Sequence, residues 1–165
     1  MTTTERARKP KHPKSCHERA LGLLAVRMRS RRELTQRLTR AGFEAEEVDD
    51  VVTRLERVGL VCDRRFAEEY AQHAATVKHA GRRAIASALF AKGVARETVE
   101  AVLAQQGDEA GRAAEAARDR AARLRHVPPG TAYQRLCSFL LRRGYDGPVA
   151  QEAARHALDL DRAWD

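Results

Sequence analysis

Residues 30–43 read SRRELTQRLTRAGF, and the spacing within this stretch returns twice further along the chain. Its key positions are Leu34, Leu38 and Gly42. The equivalent residues, 51 and then 102 positions later, are Ile85, Leu89 and Gly93, followed by Leu136, Leu140 and Gly144. A fixed period without insertion or deletion indicates one supersecondary unit used three times. Such a unit rarely buries its apolar face alone, so neighbouring units should stack.

The composition favours helices over strands. Apolar residues make up 43% of the 165-residue chain, but aromatic residues only 5%, and much of the apolar content is alanine. This mixture suits close helix packing better than an aromatic-rich β core. We therefore predict an all-α fold of three tandem three-helix repeats, stacked into an elongated, curved array.

The predicted domain boundaries follow the residues that start and stop helices. The repeats should span residues 16–62, 63–108 and 109–160, and residues 161–165 form a short C-terminal tail. Residues 1–15 are basic and interrupted by prolines, which predicts a disordered N-terminal tail. This tail is either a solubilising segment or an electrostatic arm, and the sequence does not decide between them.

Apolar residues at helical spacing predict which face of each helix is buried. The predicted first-helix stripes are Leu21, Leu24, Ala25 and Met28 in the first repeat, and Phe66, Tyr70, Ala74 and Val77 in the second. Capping boxes are expected at residues 30–33 and 131–134. The repeated glycines should end each second helix in the left-handed conformation.

No motif for catalysis, a cofactor or a metal ion is found. Phosphate-binding loops, dinucleotide fingerprints and metalloprotease or hydrolase signatures are missing. Cys16, Cys62 and Cys137 are odd in number and far apart, which predicts reduced thiols rather than a disulfide framework. No apolar run is long enough for a membrane span. We expect a non-enzymatic, soluble, cytoplasmic monomer without a cofactor or membrane contact.

The charge is positive and uneven. The net charge is +8, and residues 1–40 carry 12 Lys and Arg against three glutamates, whereas residues 41–60 are acidic. Such a bias favours a polyanionic partner, either nucleic acid or an acidic protein surface. A helical protein from a genome rich in Arg and Ala would show the same bias.

Several cations follow the repeat. Arg31 and Arg82 share one repeat position, Arg32 and Arg83 the next, and Arg40 and Arg142 a third. On the second helix of the first repeat, the cations should lie opposite the apolar stripe and face solvent. The predicted partner-binding residues are Arg27, Arg29, Arg31, Arg32, Arg40, Lys78, Arg82, Arg83, Arg142 and Arg143. Stacked repeats would align these charges along one side of the array.

Three segments together resemble a known family. Residues 20–42 are similar to the start of a RecX-family protein, and residues 59–67 (GLVCDRRFA) are similar to that family's Gly-Leu-x-x-Asp-x-x-Phe-Ala hallmark. Residues 81–94 correspond to its second block. The resemblance covers residues 16–160. The third repeat departs from the pattern through Pro128–Pro129 and its alanine-rich core.

The resemblance implies a modulator of the RecA recombinase, built from tandem three-helix repeats that lie in the groove of the RecA–ssDNA filament. Such a protein restrains RecA ATP hydrolysis, strand exchange and coprotease activity in recombination, DNA repair and the SOS response. Two alternatives stay open: a stand-alone nucleic-acid-binding module that contacts the DNA backbone, and a plain helical scaffold.

Overall fold

The computed structural model describes residues 14–159, and within them the chain forms nine α-helices and no β-strand. The helices are α1 (Cys16–Val26), α2 (Arg31–Arg40), α3 (Ala45–Arg57), α4 (Asp63–Thr76), α5 (Arg82–Ala91), α6 (Arg96–Gln105), α7 (Glu109–Ala121), α8 (Pro129–Arg142) and α9 (Gly147–Ala157). A short 3₁₀ helix, Ala122–Leu124, follows α7. The all-α prediction is confirmed. The predicted tails lie outside the described residues, apart from Lys14 and Ser15.

The chain divides into two compact units between Phe66 and Ala67. The first unit contains α1, α2 and α3, whose core is lined by the two α2 leucines and the α3 valines. The second unit contains a core built from α7, α8 and α9, in which alanines predominate around Leu136, Leu140 and Tyr145. None of the described helices is both long and apolar enough to cross a membrane. The division into three repeats at residues 62 and 108 stays a prediction.

The repeated glycines end α2, α5 and α8 as expected. Gly42, Gly93 and Gly144 have φ values of +94°, +79° and +87°, a region in which a side chain would be strained. The next amide then donates to a carbonyl of the last helical turn. The pairs are Phe43 to Leu38 (3.3 Å), Val94 to Leu89 (3.1 Å) and Tyr145 to Leu140 (3.2 Å). This bond satisfies a carbonyl that the helix end would leave open.

The buried faces of two helices differ from the prediction. In α1 the fully buried residues are Cys16 and Ala20, whereas Leu21 is 38% exposed. Ser15 caps α1 in a capping box with Glu18, so the helix begins a turn before the predicted stripe. In α4 the side chain of Val77 is exposed, because the helix ends one residue earlier.

Of the two predicted capping boxes, the N-cap half is observed at Ser30, and the prediction at Thr131 is wrong. The Ser30 hydroxyl accepts the Glu33 amide at 3.1 Å. Thr131 instead lies inside α8, which begins with Pro129 as its first residue. Proline is favoured there because its fixed φ suits a helix start and no amide is lost. The helix therefore starts two residues before the threonine.

Within the second unit, α5 starts where α8 ends. The Gly81 amide donates to the Arg143 carbonyl at 2.8 Å, and the Arg83 amide donates to the Gly144 carbonyl at 3.1 Å. Amides at the start of α5 that have no partner within the helix thus bond to carbonyls at the end of α8 that also lack one. The positive end of the α5 dipole meets the negative end of the α8 dipole. A side chain on Gly81 would collide with the backbone of Gly144 and Tyr145.

Candidate basic surfaces

Arg27 and Arg29 form ion pairs inside the first unit, at the junction of α1 and α2. Both guanidinium groups bind the Glu33 carboxylate, that of Arg29 at 3.0 Å. Arg29 also donates to the Leu23 carbonyl at 3.1 Å. It is 6% exposed, and burial, followed by the nearby Arg27 and Arg37, lowers the pKa of its guanidinium. The guanidinium of Arg29 is therefore engaged inside the first unit and does not face solvent.

Arg31 and Arg82 share a structural role through their backbone. The Arg31 amide donates to the Asp63 carboxylate at 2.7 Å, and the Arg82 amide donates to the Glu109 carboxylate at 2.8 Å. Asp63 is the first residue of α4, and Glu109 is the first residue of α7. Each of these helices begins the next predicted repeat. A carboxylate at a helix N-terminus satisfies an open amide and complements the helix dipole. The repeated position thus marks a helix start.

The Arg31 side chain forms ion pairs within the first unit. Its guanidinium binds Glu56 and lies 2.8 Å from the Asp49 carboxylate, both on α3. These pairs neutralise the positive charge and join α2 to α3, and Arg31 remains 37% exposed. The charge of Arg31 is therefore engaged within the protein, and less of it is available to a partner.

Arg32 and Arg40 on α2 are exposed, as predicted, and form no ion pair among the described residues. Arg40 joins Arg19 and Arg37 around an open cleft of about 290 Å³, whose other lining residues are Leu23 and Ala41. Arg37 lies 3.9 Å from the Glu33 carboxylate. Three arginines thus line one cleft where α1 and α2 meet.

In the second unit, Lys78, Arg83 and Arg142 are exposed, whereas Arg82 and Arg143 are half-buried. Arg83 lies 3.8 Å from the Asp146 carboxylate. Arg143 donates to the Lys78 carbonyl, so these two predicted residues are brought into direct contact. The cations of this unit are arranged mainly around the start of α5 and the end of α8.

Six arginines that line clefts are absent from the set predicted from the sequence: Arg19 and Arg37 in the first unit, and Arg118, Arg120, Arg123 and Arg125 in the second. Arg37 precedes Arg40 by three residues, and this spacing places both on one helix face. Arg120 precedes Arg123 by the same spacing. A search for i, i+3 arginine pairs would have found Arg37, Arg120 and Arg123 but not the other three, whereas a search for the 51-residue period finds none of them.

The fold and these surfaces define an all-helical protein of three-helix units with arginine-lined clefts. Two family models match the chain: RecX, first three-helix domain, over residues 16–55, and RecX, second three-helix domain, over residues 63–103. The chain belongs to the RecX family, as the sequence resemblance indicated.

Full-length relatives agree with this assignment. The regulatory protein RecX of Amycolatopsis mediterranei (strain U-32) is 36% identical over 151 residues, which are 88% of this chain and 84% of that protein. The regulatory protein RecX of Mycobacteroides abscessus is 39% identical over 145 residues, 86% and 71% of the two chains. The crystal structure of RecX from Lactobacillus salivarius has the same fold, with a TM-score of 0.77 at 21% identity, covering 88% and 95% of the chains.

Proposed function

We propose that this protein binds the RecA–ssDNA filament and restrains RecA ATP hydrolysis, strand exchange and coprotease activity. The observation that carries the proposal is its 36% identity to regulatory proteins RecX along 88% of the chain. The relatives are named as regulators, and we propose that this chain likewise acts through binding and not through catalysis. It would work in the cytoplasm, as a monomer.

Exposed cations supply the contacts in this proposal. Arg32, Arg40, Lys78, Arg83 and Arg142 present charge at the surface of the two units. Several weak contacts to a periodic partner give a high overall affinity without any single strong site. Arg29 is withdrawn from this set, because its guanidinium is buried and bound to Glu33.

The test is a titration of this protein against preformed RecA filaments, with ATP hydrolysis and strand exchange as readouts. We expect substoichiometric protein to suppress both rates. Charge reversal at Arg32 and Arg40 on α2 should weaken inhibition at least tenfold, because two exposed cations become repulsive towards an acidic surface. Saturating wild-type protein that leaves both rates unchanged would contradict the proposal.

The matched control reverses Arg54 and Arg57, two exposed arginines on α3 of the same unit. It makes the same change in net charge, and both residues lie at a helix C-terminus, as Arg40 does. Inhibition by the control should stay within about threefold of the wild type, since Arg54 and Arg57 lie on α3, outside the proposed contact residues. Equal losses in the two double variants would indicate a general charge effect and not a contact surface.

A stand-alone nucleic-acid-binding module is the second candidate function, and the arginine-lined clefts favour it. It predicts DNA binding in the absence of RecA, with an affinity that falls steeply as salt rises. A plain helical scaffold predicts neither inhibition nor DNA binding. Measuring both activities with one protein preparation separates the three hypotheses.

A further inference from the structure

The second unit contains an open cleft of about 310 Å³ that none of the predicted contacts explains. We call it the α7–α8 cleft. It is lined by His79, Ala116, Asp119, Arg120, Arg123, Phe139 and Arg143. Three of its seven lining residues are arginines, and one is an acid. Of the lining residues, only Arg143 belongs to the set predicted from the sequence.

The ring of Phe139 contacts two of the three arginines that line the cleft. The guanidinium carbons of Arg143 and Arg120 lie over the ring of Phe139, 4.7 Å and 5.5 Å from its centroid. A guanidinium that stacks by its face keeps the N–H donors along its edges available. Phe139 therefore positions Arg120 and Arg143 at the cleft through contacts that use none of their N–H groups, and Arg143 donates one of its N–H groups to the Lys78 carbonyl.

The described residues do not balance the charge of the cleft. Neither Arg120 nor Arg123 forms an ion pair among residues 14–159, and Asp119 is the one carboxylate among the lining residues. Arg31 shows the opposite arrangement, since two carboxylates neutralise its guanidinium. Converging cations without internal partners attract an anion.

The backbone beside the cleft is held in an uncommon conformation. His79 has a φ of +47°, a region that costs a non-glycine residue about 1–2 kcal/mol. Two bonds from the end of α8 maintain it: the Tyr145 hydroxyl donates to the His79 carbonyl at 3.0 Å, and Arg143 donates to the Lys78 carbonyl. Strain of this kind is found preferentially at ligand sites. Here it places an imidazole, a further hydrogen-bond donor, on the cleft wall.

We propose that the α7–α8 cleft binds a phosphate of a nucleic-acid backbone, with Arg120 and Arg123 as its principal ligands. Arginine forks match the oxygens of phosphate in bidentate geometry. The cleft volume is at the lower end of the range for ligand pockets, which suits one phosphate and its sugar and not a folded peptide. Because two guanidinium groups already contact the Phe139 ring, the ring is not available to stack on a base. The site would therefore bind the nucleic-acid backbone and not a base. The proposal does not depend on RecA.

The experiment compares two double variants by fluorescence anisotropy with labelled oligo-dT, RecA being absent, over a series of salt concentrations. Arg120→Gln with Arg123→Gln removes the proposed ligands. Arg118→Gln with Arg125→Gln is the matched control, since it removes two charges from the same segment at residues that line a different cleft. Thermal unfolding of both variants confirms that they remain folded.

We expect the Arg120/Arg123 variant to bind oligo-dT tenfold more weakly or worse, because charge-assisted hydrogen bonds contribute about 1.5–3 kcal/mol each, and every 1.4 kcal/mol is about a factor of ten. The slope of log affinity against log salt should fall by about 0.7, because the cleft neutralises one phosphate and each neutralised single-strand phosphate contributes about 0.7 to that slope. The control should bind within about threefold of the wild type and keep the wild-type slope.

Three outcomes would overturn the proposal. The first is equal affinity and slope for the two double variants. The second is a poly-glutamate peptide that binds the wild type more tightly than oligo-dT and requires the same arginines, which would make the cleft a protein-docking site. The third is inorganic phosphate that displaces oligo-dT at micromolar concentration, which would indicate a free phosphate ligand. Because RecA is absent, failure here leaves the RecA proposal intact, and inhibition assays of the same variants report on it separately.

Discussion

Replacing Gly81 with alanine should destabilise the second unit, although the change adds a single methyl group. Gly81 has φ −77° and ψ 164°, which alanine adopts without strain, so the backbone conformation is not the obstacle. The obstacle is the neighbouring chain: the new Cβ would overlap the backbone of Gly144 and Tyr145, where nothing can rotate away. The start of α5 and the end of α8 must then separate.

The cost can be worked out from the interactions that this separation weakens. Overpacking against a fixed neighbour costs about 1–3 kcal/mol. Two amide–carbonyl bonds join the two helix ends, at 2.8 Å and 3.1 Å, and each contributes roughly 1 kcal/mol net. If about half of that bonding is removed, the free energy of unfolding falls by roughly 2–4 kcal/mol. For a chain of this length the midpoint of thermal unfolding should fall by roughly 5–12 °C.

Gly130→Ala is the matched control, because it makes the same chemical change on α8 of the same unit. No heavy atom lies within 4 Å of a Cβ built at Gly130, and alanine is the better helix former. Its stability should be unchanged or raised by up to about 1 kcal/mol. Circular dichroism melts of the two variants test the reasoning. A Gly81→Ala melt that coincides with that of Gly130→Ala would show that the close approach is absent or readily relieved.

Variants at three further positions test other interactions. Ser30→Ala removes a fully buried N-cap of α2 and should cost about 1–2 kcal/mol in chemical unfolding. Asp63→Asn keeps an acceptor for the Arg31 amide but removes the charge; it should cost less than Asp63→Ala, which should lower stability by about 1 kcal/mol. Burial raises the pKa of Tyr145, so its contribution to stability is complete below its ordinary value near 10 and is lost as pH rises above it. Tyr145→Phe, without the bond to His79, should be less stable at neutral pH and lose less on alkaline titration.

The sequence was sufficient for α2, the second helix of the first repeat, because its signals are local and agree with one another. In α2, the Ser30 cap, the leucines at i and i+4 and the stop at Gly42 all indicate the same helix. The glycine conformation could be predicted from steric arguments alone. In α2, the spacing of the apolar residues and the residues that start and stop the helix predict the same boundaries. Both signals lie within fewer than fifteen consecutive residues.

The first helices were harder to predict because small residues carry their packing. In α1, Ala20 is fully buried and Leu21 is exposed, so hydrophobicity does not rank these positions by burial. In α7 the buried positions are alanines, which give a weak periodic signal. Where backbones approach closely, size complementarity selects the buried face. That property depends on the opposite helix, which sequence periodicity does not describe.

The candidate site residues could also be predicted only in part. A residue type can recur along the chain because of its structural role and not because it binds a partner. Arg31 and Arg82 recur at one repeat position, and the shared interaction is made by their backbone amides, which each bind the first acid of a later helix. Their side chains are free to differ: that of Arg31 pairs with two carboxylates on α3. The period therefore identifies residues that begin helices. Arg120 and Arg123 have no periodic counterpart in the predicted set, yet they line a cleft without an internal ion pair among the described residues. We therefore expect an anionic partner to bind where arginines lack ion pairs among the described residues, whether or not those arginines follow the repeat.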